Sequence, residues 1–371
     1  MISRTARTGG TVESGDVRSG GVQRAGERMA GVRAAGMRSA GVRAGGTLWT
    51  RVLLALTGAG LRLSASLCLG FFLFHILPGD PVLSLASGHP VTAEALALRR
   101  RELGLDRPLL TQFGAYFANM LRGDLGTSFG YHRPVTDLLQ ERLWPTVLLV
   151  GTAAVVSTAL GIWSGVLAGW RPDGRLDRFT STVALVLWAT PTAWLGLLLL
   201  IGLGTGVGPL PGWLPIGGLH ATPAPSGLPA TVLDVARHLV LPCLTLVAVQ
   251  YGQYHLLIRA SVITQRQHQY VAVARATGLR DASVRRRHVL PNALLPTTTQ
   301  AFLNVGLVLS GAVAVEAVFS WPGLGYLAYE AVRIPDLPVL NGTLLVFCTA
   351  VILMNLIADL TVAWLDPRTV Q

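Results

Sequence analysis

Six stretches of the chain are apolar over about the 20 residues a helix needs to cross a bilayer. They run over residues 52–77, 144–169, 179–203, 238–258, 297–319 and 339–365. In hydrocarbon every backbone polar group must be satisfied internally, so these runs read as membrane helices. Composition agrees. Of 371 residues 51% are hydrophobic and 13% charged, where a soluble domain carries roughly 25% charged residues. The mean hydropathy is +0.51. Pro145 falls where the second span begins and needs no special account. Pro191 and Pro242 lie inside spans, where kinks are tolerated. Cys68, Cys243 and Cys348 sit in apolar stretches without metal-like spacing and read as small buried hydrophobes.

Arginine placement orients the spans. Residues 1–51 hold nine Arg against three acids, the 171–178 loop three against two, and the 259–295 loop seven against Asp281 alone. The opposite loops, 204–237 and 320–338, hold only Arg237 and Arg333, and the long 78–143 segment is balanced at seven Arg and seven acids. Both termini are therefore expected in the cytoplasm, with 78–143 outside it. The net charge of +11 reads as a topology signal and not as a nucleic-acid footprint.

All 30 basic residues are Arg. Without Lys there is no phosphate-binding loop ending in Lys-Ser/Thr, so any ATP used must be hydrolysed on another chain. Residues 1–46, rich in Gly, Arg and Ala, show no apolar period and are expected to be a disordered tail, with residues 47–371 as the membrane domain. A start at Met29 or Met37 is the alternative account of that tail.

Three features point to function. Gly161, Gly165 and Gly169 lie on one helix face of the second span, where small residues let another helix approach closely. Glu316 and Asp359 fall in or near apolar spans, where a charge is costly. They can line or latch a pathway, or pair locally, and both readings are open. Arg62 in the first span reads as snorkelling to the inner surface.

The third is the loop from Tyr270 to Pro296. Ala272, Ala274 and Ala276 suit a short helix that something else approaches, Gly278 suits its left-handed end, and Asp281 or Ser283 suits the cap of the next. That next helix runs towards the membrane through Arg285, Arg286 and Arg287. Such an elbow fits a docking device, or a basic loop held by anionic headgroups.

The loop resembles the coupling loop of ABC importer permeases, whose pattern is Glu-Ala-Ala-x3-Gly-x9-Ile-x-Leu-Pro. Ala272, Val273 and Ala274 occupy the first positions, Gly278 the glycine, and His288, Leu290 and Pro291 the end. Ala272 and His288 depart from the pattern's Glu and Ile. Leu77-Pro78-Gly79-Asp80-Pro81, Glu102 to Pro108, Gly123 to Ser128, Tyr270 with Arg275 and Leu279, Glu316 to Gly325, and Asp366-Pro-Arg368 resemble the oligopeptide/dipeptide/nickel group.

The resemblance implies an all-α polytopic fold of six transmembrane helices, the type I importer transmembrane domain, in a prokaryotic plasma membrane. It implies a second permease, two ABC ATPases carrying ATP and Mg, an extracytoplasmic solute-binding protein, and no catalysis or bound cofactor in this chain. Dipeptides, oligopeptides, nickel chelates and glutathione-like solutes are the substrate classes it implies. The contrasting expectations are an ion-coupled secondary transporter, with Asp359 or Glu316 binding the ion, and a membrane-embedded hydrolase. The first would show two related halves, and the second a nucleophile–base set that the eight His do not form.

Overall fold

The computed structural model describes residues 48–76, 94, 106–206, 212–223 and 225–365. The expected tail at 1–46 and the Leu77–Pro81 motif lie outside the described residues. The described chain is helical, with one isolated bridge between Thr127 and Pro134. In order come α1 (Leu48–Ile76), α2 (Leu109–Leu121), α3 (Val135–Trp170), α4 (Arg175–Ala189) and α5 (Thr192–Leu199), which runs into a π-helical turn at Leu200–Thr205. Then follow α6 (Leu228–Arg266), α7 (Gln269–Ala276), α8 (Asp281–Val284) and a second π-helical turn at Arg285–Val289. The last four are α9 (Leu290–Leu303), α10 (Val305–Val318), α11 (Leu324–Arg333) and α12 (Leu337–Leu365).

The helices outrun their apolar windows. α3 has 36 residues and α6 has 39, so at about 1.5 Å per residue each exceeds the ~30 Å hydrocarbon core. For that reason Pro145 is not at a helix start, as the apolar window implied, but ten residues inside α3. Its missing N–H frees the Glu141 carbonyl, and its own carbonyl accepts the indole N–H of Trp321 at 3.0 Å.

Pro191 marks a sharp kink of the kind expected inside a span. The stretch 179–203 is not one straight span: α4 and the α5 segment meet at a bend of 104°. Thr190, before the proline, has ψ 128°, the extended conformation that a following Pro imposes. Pro242 sits within α6 without interrupting it. In the stretch 297–319 α9 ends and α10 begins at Asn304, where the hydrogen bonds to Gln300 and from Val308 still run in the helical pattern.

α3 and α6 form the principal pair, and the three glycines explain how. A Cβ on Gly161 would lie 2.5 Å from the Tyr254 Cβ, on Gly165 2.7 Å from the His255 carbonyl oxygen, and on Gly169 2.8 Å from that of Arg259. The helix backbones touch along this stripe. Three apolar clusters then succeed one another along α3. Val135, Leu138 and Leu139 pack with Leu324, Leu327 and Val339. Leu149, Val150 and Ala153 pack with Leu241, Leu246, Val315 and Trp321. Val166 and Trp170 pack with Ile258, Val262, Val271 and Val284.

At the Val135 end, Asp336 caps α12, its Oδ1 accepting the Val339 N–H at 3.4 Å. Its other carboxylate oxygen accepts the Ser128 hydroxyl at 2.5 Å and the Gly130 N–H at 2.9 Å. The turn before α3 is thus tied to the start of the last helix.

Candidate functional site

The elbow stands at the Trp170 end of α3. α7 closes with the Leu279 N–H on the Ala274 carbonyl at 3.4 Å and the Gly278 N–H on the Arg275 carbonyl at 3.0 Å. Gly278 has φ +83°. This is the paired-bond helix ending that requires a left-handed residue, which glycine adopts without strain.

Val271 and Ala274 turn inward and are buried with Val284, Val289 and Ala293. Ala272, Val273, Arg275, Ala276, Gly278 and Leu279 are exposed. A short helix thus anchors one side and turns small and apolar groups outward. Tyr270 holds its base, donating its hydroxyl to Gln265 Oε1 at 2.8 Å. Arg275 donates to Asp281 at 3.3 Å across the glycine.

Neither Asp281 nor Ser283 caps α8: the N-cap is Arg280, without a side-chain bond. Asp281 instead occupies the first turn, where a carboxylate favours the helix dipole. The expected continuous basic helix is also interrupted, by the π-helical turn at Arg285–Val289. Pro291, which lacks the N–H for the Arg287 carbonyl, follows it directly. His288 and Leu290 are half-buried there and Pro291 is exposed.

The residue that sequence reasoning missed is Trp170. It is buried at the end of α3, and three guanidinium carbons lie near its ring centroid: Arg266 at 5.4 Å, Arg275 at 5.5 Å and Arg285 at 5.9 Å. These come from the end of α6, from α7 and from the π-helical turn. Arg266 also donates to the Gly169 carbonyl at 3.2 Å. One aromatic ring thus joins the elbow to both long helices. The available signal was a single Trp closing the glycine stripe.

A second missed constellation lies beside it. Buried Asp177 on α4 accepts both Nε and Nη2 of Arg259 on α6, at 2.5 and 2.8 Å. Ser181 donates to Asp177 at 3.1 Å and lies 3.3 Å from His255 Nε2, while His255 Nδ1 lies 2.8 Å from Ser164 on α3. A polar chain therefore links α3, α6 and α4.

Glu316 is fully buried near the end of α10. Its carboxylate accepts the Thr146 hydroxyl at 2.8 Å and the Tyr326 N–H at 2.9 Å, and the Thr146 oxygen in turn accepts the Leu324 N–H at 2.7 Å. This is a closed local arrangement that fastens α11 onto α3 and α10. Asp359 lies in α12, but its side chain is outside the described residues.

A family profile described as binding-protein-dependent transport system inner membrane component matches residues 157–371, which contain the whole elbow. The chain belongs to that family. The companion profile for the N-terminal part of the same membrane component matches residues 51–150. The glutathione transport system permease protein GsiC of Pectobacterium atrosepticum is 37% identical over 301 residues, covering 80% of this chain and 91% of the relative. GsiC of Escherichia coli K12 is 35% identical over 298 residues, with the same coverage. Among solved structures, the inward-facing MetNI methionine ABC transporter aligns at TM-score 0.50 and 18% identity, covering 62% of this chain and 96% of that one. That likeness concerns the fold. The protein is a permease subunit of an ABC importer, and it resides in the membrane.

Proposed function

We infer that this permease forms half of a translocation pathway for a peptide-like solute of the glutathione or dipeptide class. It crosses a prokaryotic plasma membrane six times with both termini in the cytoplasm. A second permease completes the pathway, a solute-binding protein delivers from outside, and two ATPases hold ATP and Mg. The chain itself binds no cofactor and catalyses nothing. The naming of its relatives supports the solute class, and the arginine bias of the loops supports the orientation.

The observation that carries the coupling role is the outward face of the elbow: small groups on a glycine-ended helix, seated through Trp170 on α3 and α6. Closure of an ATP-bound dimer on that face would displace the loop as a unit. The displacement reaches the long helices through packed contacts, with no catalytic side chain involved.

Gly278→Asp tests it. A Cβ at Gly278 meets nothing within 4 Å in this chain, and Asp tolerates the left-handed conformation better than most residues. The variant should insert at normal levels and lose glutathione or dipeptide uptake, because the added carboxylate meets the docked partner. Uptake at the wild-type rate with matched expression would refute the coupling role.

A further inference from the structure

α6 and the α9–α10 segment bring three carboxamides together, with a fourth one turn away on α6. Gln253 Nε2 lies 3.5 Å from Asn304 Oδ1, and Gln300 Nε2 donates to the same oxygen at 2.8 Å. One turn along α6, Gln250 Oε1 lies 3.5 Å from the Ser157 hydroxyl, while its buried Nε2 has no partner among the described residues. Gln250, Gln253 and Gln300 are half-buried, and Asn304 is buried at the junction of α9 with α10.

We propose that these four side chains line the solute path and hydrogen-bond the uncharged backbone groups of a peptide in transit; this rests on the importer reading above. Polar side chains at membrane depth face a bundle interior or a watered cavity, because lipid leaves their donors unsatisfied. A carboxamide offers two donors and an acceptor and binds another amide in either sense. Exchange between such neutral partners suits passage, since no ion has to be desolvated and released.

The test uses the complex purified from native membranes, with Cys68, Cys243 and Cys348 replaced by Ala. Gln253→Cys, Gln300→Cys and, as reference, Val155→Cys (70% exposed on α3) are each exposed to a charged methanethiosulfonate reagent. Gln253→Cys and Gln300→Cys should react faster than Val155→Cys by on the order of tenfold, because an apolar setting starves a thiol of thiolate. S-methylglutathione or triglycine, supplied with the binding protein, should slow that reaction. No faster reaction at either position would overturn the proposal and leave the four as glue between helices. Fast reaction indifferent to both peptides would overturn the solute contact. The importer reading is judged separately, by whether an ATPase co-purifies in the same preparation.

Discussion

Gly165 has no room for a methyl group: its place is taken by the His255 carbonyl oxygen at 2.7 Å and the Ile258 side chain at 2.9 Å. Gly165→Ala must push α3 from α6, at a cost of about 1–3 kcal/mol as for other overpacked sites. Gly151→Ala, on the same helix with nothing within 4 Å, should be neutral to stabilising by up to about 1 kcal/mol. Thermal unfolding in detergent should separate the two by several degrees, and equal midpoints would mean the stripe does not set the helix distance. Asp177 and Arg259 call for a double-mutant cycle. Removing either partner of a fully buried pair costs roughly 3–5 kcal/mol by stranding the other charge, and the half-buried Arg259 places this pair below that range. Asp177→Asn and Arg259→Met should each destabilise strongly, and the double variant by much less than their sum. Additive losses would show the pair to be uncoupled. The glycine stripe was legible in the sequence because its spacing of four is local. The ion pair was not, since its members lie 82 positions apart on α4 and α6, with α5 between them.

At the scale of elements, the elbow is the feature that the chain spells out most openly. A run of alternating small residues ending at Gly278 leaves little choice of conformation there, and the backbone follows it at φ +83°. Its surroundings were less legible. Whether Pro145 begins a helix or lies inside one depends on how far the helix continues past the lipid, and apolar windows do not report that. Pro191 breaks its segment while Pro242 leaves α6 whole, and a proline within an apolar window does not by itself tell the two apart. Trp170 is illegible as well, since only the fold brings α6, α7 and the π-helical turn to its ring. Each such stack contributes about 0.5–1 kcal/mol at an exposed site and more when desolvated. Trp170→Leu should therefore loosen the loop without unfolding the helices, and trypsin should cut the 266–287 segment faster than in the native protein. Unchanged cleavage would mean the loop is held by Val271, Ala274 and Val284 alone.

For the whole molecule, the glycine stripe, the polar chain and the Trp170 stack lie in sequence along α3 and α6 towards the elbow. The proposed docking at the elbow would therefore act on the two longest helices, which also carry Thr146, the partner of Glu316, and Gln250 and Gln253 of the carboxamide cluster. The helical fold and the glycine-ended loop can be read from apolar length and one glycine. The solute path cannot, because it depends on which polar side chains a three-dimensional packing leaves open. The central claim is that an ATPase sits on the outward face of α7. The most direct measurement places a photo-crosslinking amino acid at Val273, exposed on that face, and irradiates native membranes before identifying the adduct by mass spectrometry. An ABC ATPase in the adduct is the predicted result; an adduct with lipid alone, or with another copy of this chain, would contradict it.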